Sequence, residues 1–337
     1  MTLLSHPLIG QHFAFSYGRL GVLQQYLLKQ VDTDRLLGSR DVLEAEKILT
    51  ELPCTDVLDQ SLLHVGDILP ALEQWLQREV RVAASSQKQH VFDILWLEGD
   101  SALLSYFFKE QKGWVQSTGR ELLPGMSAYR KEELLAVVRG EKKDAFPEIV
   151  RCMVELRTHE GGPMEADFAI ANAVNRVQVR LAEESASREI LSYVRLQIDI
   201  RNLRTALRLV QKTIDSAPLF LSGGTLPEAA LASGDFSVLQ AALDRSSFGF
   251  GFTHSLQEFA EDPTLYQRET TQVMQRHIAF MWNKTLSIEP LFAFAATVLS
   301  QLFFLRAVFI AKRNELSPQE LRDILPPFLS GTHYVVS

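Results

Sequence analysis

The sequence predicts an all-α fold on three observations. Apolar residues recur at helical spacing, prolines fall mostly between those runs, and sustained alternation of apolar and polar residues is nearly absent. Phe13, Tyr17, Leu20, Leu23 and Leu27 recur at steps of four and three, which places them on one helix face. Ile68, Leu72, Trp75 or Leu76, and Val80 repeat the pattern, as do Ile190, Val194 and Ile198. Pro53, Pro70, Pro124, Pro147, Pro163, Pro218, Pro263, Pro290 and Pro318 read as punctuation between helices. Asp41 followed by Glu44 reads as an N-cap with its capping-box partner.

Composition fixes what kind of helical protein this is. Of 337 residues, 46% are apolar and 22% charged, enough to bury a sizeable core. Acidic side chains outnumber basic ones, 41 to 34, for a net charge of −7. That balance excludes broad nucleic-acid binding, which needs a concentrated basic face to displace counterions. Cys54 and Cys152 stand far apart and form no CxxC pair, which suits a reducing cytosol. Met1 to Gly10 lacks the basic and apolar regions of a signal peptide, so the expected location is cytoplasmic. Leu291 to Leu305 carries no charge, but a spanning helix wants about 20 apolar residues. Extending this run takes in Arg306, then Lys312 and Arg313, so a buried helix is expected and no direct transmembrane segment.

Internal similarity adds organisation. Tyr17-Gly18-Arg19-Leu20-Gly21-Val22 resembles Tyr193-Val194-Arg195-Leu196-Gln197-Ile198, and each precedes a related helix start, at Val42 to Ala45 and at Val238 to Ala241. A fainter middle copy has Leu122-Leu123-Pro124-Gly125 before Lys131 to Val138, much as Leu221-Ser222-Gly223-Gly224 stands before Pro227 to Ala232. A long-then-short helix pair closes the chain, Leu291 to Arg313 and Ser317 to Leu325. Such units cannot bury an apolar face alone, whereas copies packed side by side can.

No reaction centre is legible. His159-Glu160 begins an HExxH pattern that Pro163 ends, no two histidines stand four apart, and the cysteines are isolated, so no metal is expected. Gly249-Phe250-Gly251 lacks the third glycine of a dinucleotide loop and reads as an aromatic turn. No lysine follows Gly223-Gly224 as a phosphate loop requires; the pair reads as a tight turn opening a helix. Gly99-Asp100-Ser101-Ala102-Leu103 lacks the second glycine of a nucleophile elbow. The expectation is a non-enzyme without cofactors.

Four stretches resemble the C/d-type subunits of V-type and archaeal-type rotary ATPases, in that family's order. They are Phe13 to Leu20, the helix Ile198-Asp199-Ile200-Arg201-Asn202-Leu203-Arg204-Thr205-Ala206-Leu207-Arg208, the loop Ser222-Gly223-Gly224-Thr225-Leu226, and Glu289 through Arg306 followed by Leu316 to Leu321. One departure stands out: Thr297 to Leu302 carries none of the acidic residues usual before the arginine of the family's last long helix. The resemblance implies one domain of this type over 1–337, built as a funnel of three similar helical lobes around a pseudo-threefold axis. Their approximate extents are 1–85 plus 285–337, 86–160 and 161–284. It further implies a non-catalytic component, peripheral to the membrane, that couples central-stalk subunits of D/F type to the proteolipid ring and transmits torque for ATP-linked proton or sodium transport. Gly99, Gly113 and Gly140 are candidates for loops meeting the ring.

One surface invites a site. At about 100° per residue, Arg201, Arg204, Arg208 and Lys212 fall on one side of a helix, with Leu203, Leu207, Val210 and Ile214 opposite. The basic stripe faces either solvent or acids of a stalk partner, while Asp199 and Asn202 are expected to satisfy local hydrogen bonds. Two rivals remain. A stand-alone helical scaffold or adaptor would show evenly spaced repeats, whereas the Tyr-x-Arg-Leu copies lie far apart with unequal spacers. An isoprenoid-type α-helical enzyme would carry a D-D-x-x-D motif, and none is present.

Overall fold

The computed structural model describes residues 11–84, 86–115, 127–142, 144–158, 161–210, 220–246, 251–317, 319–321, 325 and 328–329. Among them are fourteen α-helices and no strand, so the protein is all-α. In chain order they are α1 Gln11–Leu23, α2 Gln30–Gly38, α3 Val42–Thr50, α4 Val65–Ala83, α5 Asp93–Gln111, α6 Lys131–Arg139 and α7 Pro147–Thr158. Then follow α8 Pro163–Glu184, α9 Arg188–Val210, α10 Glu228–Leu231, α11 Phe236–Arg245, α12 Leu256–Glu261, α13 Pro263–Trp282 and α14 Glu289–Arg313.

Local chemistry sets most of the ends. Asp41 caps α3, its carboxylate accepting from Glu44 N at 2.8 Å. The expected reciprocal bond is displaced by one residue, because the Glu44 carboxylate accepts from Arg40 N at 2.7 Å rather than from Asp41. A full capping box opens α12, where Ser255 and Glu258 accept from each other's backbone N–H. Gly113 and Gly140 stop α5 and α6 with φ of 71° and 80°, the left-handed turn that favours glycine.

Three expectations need correction. Pro70 is not between helices but in the second turn of α4, where only the Gly66 carbonyl loses its helical partner. Gly99 lies inside α5 and marks no loop. Tyr17 is 48% exposed, so the buried face of α1 runs through Ser16, Leu20 and Leu23 instead. The Ser16 hydroxyl donates to Ala83 O, an orphan carbonyl at the end of α4, and Arg19 pairs with Glu79. Polar fastening to α4 sets the rotation of α1 against the plain apolar count.

The chain divides into two compact units, one of residues 1–89 with 275–337 and one of residues 90–274. In the first, α14 is the centre, buried from Glu289 through Val298 and again at Leu302, Leu305, Val308 and Phe309, and it packs chiefly on α4 and α1. It is long and apolar enough to cross a membrane by length and composition, and 67% of its most apolar stretch is buried inside the protein. Trp75 of α4 stands edge-on to Phe294 with centroids 6.4 Å apart. Polar groups of α14 tie down distant chain: Thr297 Oγ1 accepts from Trp282 Nε1 at 3.3 Å, and Lys312 Nζ donates to the Leu37 and Ser39 carbonyls at the end of α2. Gln301 takes the most partners. Its amide oxygen accepts from Leu28 N at 2.9 Å, and its Nε2 donates to Leu28 O at 3.1 Å and Leu329 O at 2.9 Å. Arg306 pairs with buried Glu73 across to α4.

In the second unit, α8 packs on α5, α7 and α9. Gln178 of α8 donates to Ile94 O at 2.7 Å, and Arg180 grips Glu148 of α7 at 2.7 Å while also reaching Glu184. Asp100 of α5, fully buried, accepts from Ser127 Oγ and from Ala128 N at 3.0 Å, holding the approach to α6. A second apolar cluster joins Leu203, Ala206 and Leu207 of α9 with Leu231, Leu239, Phe259 and Tyr266 from α10 to α13.

Candidate functional site: an arginine pair above a clamped glycine loop

α9 has two buried flanks, so it is held on both sides and leaves a narrow polar strip. Ile190, Val194 and Ile198 are buried, and so are Leu203, Ala206 and Leu207. Between the flanks, Asp199 is 1% exposed and Asn202 3% exposed. Both hold the loop that follows. The Asp199 carboxylate accepts from Thr225 N at 2.8 and 2.9 Å, from Thr225 Oγ1 at 2.5 Å and from Leu226 N at 3.0 Å. Asn202 brackets Leu221, donating to its carbonyl at 2.9 Å and accepting from its N–H at 2.8 Å. Asn172 of α8 adds an acceptor for Ser222 N at 3.1 Å. The expected local hydrogen bonds of Asp199 and Asn202 are therefore a helix-to-loop clamp.

The clamp explains the glycine pair. Gly223 has a φ of +100°, and a Cβ there would sit 2.9 Å from Val179 Cγ2. At Gly224 a Cβ would collide with Asp199 Oδ1 and lie 3.1 Å from its Cγ. The backbone must come this close for its N–H groups to reach a buried carboxylate, so the motif Asp-x-x-Asn with a glycine pair is one unit of architecture.

The predicted basic stripe is divided by its surroundings. Arg201 is half-buried and turned back on its own unit: it pairs with Glu98 of α5 and donates to Asn175 Oδ1 at 3.3 Å. Arg204 is exposed, its guanidinium 5.7 Å from the centroid of Tyr266. Arg208 is exposed one turn further along. Lys212 lies outside the described residues, as does Ile214; Leu203 and Leu207 are buried as the amphipathic reading expects, and Val210 is half-buried. Gly249-Phe250, His159-Glu160 and the 122–125 turn, each given a reading from sequence, also fall outside them.

Arg204 and Arg208 stand at the mouth of a cavity of about 170 Å³ between α9 and the corner joining α12 to α13. Its walls include Leu207, Phe259, Tyr266 and Gln267. Phe259 and Tyr266 meet edge-to-face with centroids 5.5 Å apart. The Tyr266 hydroxyl donates to Ile200 O at 2.5 Å, and burial holds its phenol well above the usual range, so it stays a neutral wall. Sequence reasoning missed this cleft because Phe259 and Tyr266 are core aromatics, 1% and 3% exposed, and no local signal says that a cleft borders them.

Other chemistry is sparse. Among the described residues no group of three or more His, Cys, Asp or Glu converges to hold a metal. Burial pushes the Cys54 thiol up to about 12 and the Cys152 thiol up to about 11, so neither is a ready thiolate.

No curated protein matches this chain. The profile of the ATP synthase (C/AC39) subunit family matches residues 17–324, from the helix carrying Tyr17 and Arg19 to beyond the end of α14. That span takes in the α9 clamp, the glycine loop and the buried closing helix. On a match over nearly the whole chain, this protein belongs to the C/AC39 subunit family of V/A-type ATP synthases.

Proposed function

We propose that the chain is the socket of a rotary V/A-type ATPase, seating central-stalk subunits of D/F type on the membrane proteolipid ring and passing torque between them without catalysing a reaction. The observation that carries this reading is the family match over residues 17–324. In this reading three helical lobes, about 1–85 with 285–337, 86–160 and 161–284, close into a pseudo-threefold funnel at the cytoplasmic face of the membrane. A torque-bearing part must be stiff, and close-packed interiors transmit strain rather than absorb it. The central helices supply such interiors: α14 is buried along most of its length and α9 on two flanks. Arg204, Arg208 and Lys212 contribute the basic surface that meets acids on the stalk. Arg201 adds less, since Glu98 already offsets its charge. The ring contact is broad and modestly apolar, because exposed ion pairs each contribute only about 0–1 kcal/mol.

Affinity purification of the tagged full chain from detergent extracts tests this directly. The expected result is recovery of stalk and proteolipid subunits in fixed ratio, dependent on intact membranes before extraction. Elution as a lone soluble protein, or with unrelated partners only, rejects the socket in favour of a free-standing helical adaptor.

A further inference from the structure

We propose that the cleft between α9 and the α12–α13 corner is a docking pocket for a polypeptide partner, receiving one acidic side chain between Arg204 and Arg208 and an adjacent apolar side chain against Ala260 and Pro263. The proposal deepens the socket reading and rests on one part of it, that this chain works by holding other proteins.

Charge complementarity selects the occupant. Arg204 and Arg208 are one helical turn apart, with Cβ atoms about 5–6 Å from each other, so one carboxylate bridges both. Two like charges at this spacing repel each other, a cost that an anion between them removes. Neither arginine has an ion-pair partner among the described residues; Arg204 has only the Tyr266 ring. The acids nearest the corner are engaged elsewhere. Glu258 caps α12 through Ser255, Asp262 caps α13 by accepting from Thr264 N at 2.8 Å, and Glu261 accepts from Gln257 Nε2 at 3.5 Å. The positive mouth is therefore not neutralised by the described residues of the unit.

Size and lining select the rest. A cavity of about 150 Å³ suffices for a benzene-sized group, so 170 Å³ admits one apolar side chain and is too small for a nucleotide. Ala260 and Pro263 give it an apolar floor beside Leu207, Phe259 and Tyr266, which are themselves only 5%, 1% and 3% exposed, and exposed Gln267 stands on the rim. A small inorganic anion would use the arginines and leave this floor wet, whereas an acidic residue beside an apolar one uses both.

The test uses the isolated full chain, so that its failure and the failure of the socket assignment are read separately. Acetyl-Glu-Phe-amide is titrated into the isotopically labelled protein, following the backbone amides of Ala260 and Gln267. The expected result is a saturable shift with Kd in the millimolar range, as befits so few contacts. It should weaken severalfold between about 50 and 500 mM salt, and at least fivefold for acetyl-Gln-Phe-amide. R204E/R208E should weaken binding at least tenfold. Gln267→Trp, which obstructs the rim without touching the core, should do the same and guards against a folding defect in the double variant. Equal binding of the two peptides, persistence in both variants, no saturable shift, or inorganic phosphate binding as tightly at the same amides each overturns the proposal.

Discussion

Both units use a buried polar side chain on a long central helix to hold remote backbone, yet they solve the problem with opposite chemistry. On α9, Asp199 faces donors only, the N–H groups of Thr225 and Leu226 and the Thr225 hydroxyl. On α14, Gln301 faces one donor and two acceptors, Leu28 N–H, Leu28 O and Leu329 O. A carboxylate is all acceptor, so it satisfies the first set and would be repelled by the second; an amide offers both and fits the second. The partner set, and not the depth of burial, decides which of the two carries charge. The same partner set excludes an acid at Gln301 itself.

The largest expected effect tests whether Asp199 and Gly224 are one device. In Gly224→Ala the new methyl must displace either the loop or the carboxylate, loosening charge-assisted bonds in a buried site at a cost of about 3–4 kcal/mol. Asp199→Ala removes the acceptor of the Thr225 and Leu226 N–H groups, the latter buried, and costs about 2–3 kcal/mol. Because the methyl collides chiefly with a side chain the second change removes, leaving only a tight 3.2 Å approach to Ile198 Cγ2, the double variant should lose well under the sum, with a coupling of about 1–3 kcal/mol. Urea unfolding of the four proteins gives the cycle. Strict additivity would mean that Gly224 is required for something other than room for Asp199.

This pair also shows what a sequence can reveal. Asp199 reaches Thr225 and Leu226, 26 and 27 residues away, so the helix and its loop stand together in the chain and read as a motif. The Gln301 clamp spans 273 residues to Leu28, and nothing near Gln301 in the sequence announces it. The same distinction sorts the remaining cases. Helical periodicity and the capping of α3 by Asp41 were legible because they are local. The exposure of Tyr17, the loss of Arg201 to Glu98 103 residues away, and the opening beside Phe259 were not, since each depends on a partner from another element. Pro70 was misplaced for a different reason: a second-turn proline costs α4 a single hydrogen bond, too little to end a helix whose face carries Ile68, Leu72 and Leu76.

Gln301→Glu puts the comparison under strain from the other side. A carboxylate there keeps the bond from Leu28 N but turns an oxygen toward two carbonyls that lose their donor. The expected loss is about 3 kcal/mol at neutral pH. It should shrink on acidification, as the buried carboxyl takes up a proton and can donate once. A variant as stable as the parent at neutral pH would show that α14 accepts an acid after all, and the partner-set explanation would fail.

Asp100 on α5 sharpens the rule, because it too meets donors only and yet is poorly compensated. Ser127 has one hydroxyl proton, offered to Asp100 while Tyr129 O also lies 2.6 Å from its oxygen, and the Tyr129 N–H is a long 3.4 Å away. Burial therefore dominates and lifts the carboxyl from 3.8 to about 6, with the bonds from Ser127, Ala128 and Tyr129 pulling the other way. A group whose pKa rises on folding contributes its stability below the unfolded value and loses it as pH climbs through the folded one. For Asp100 that window runs from about 4 to about 6, and Asp100→Asn, which does not ionise, lacks it. The unfolding free energy of the parent should accordingly fall relative to the variant by about 2 kcal/mol between pH 4.5 and 7.5. Urea midpoints of the two proteins at both pH values provide the measurement. If their difference stays constant, the turn at Ser127 compensates the carboxylate fully, and Asp100 belongs with Asp199 rather than apart from it.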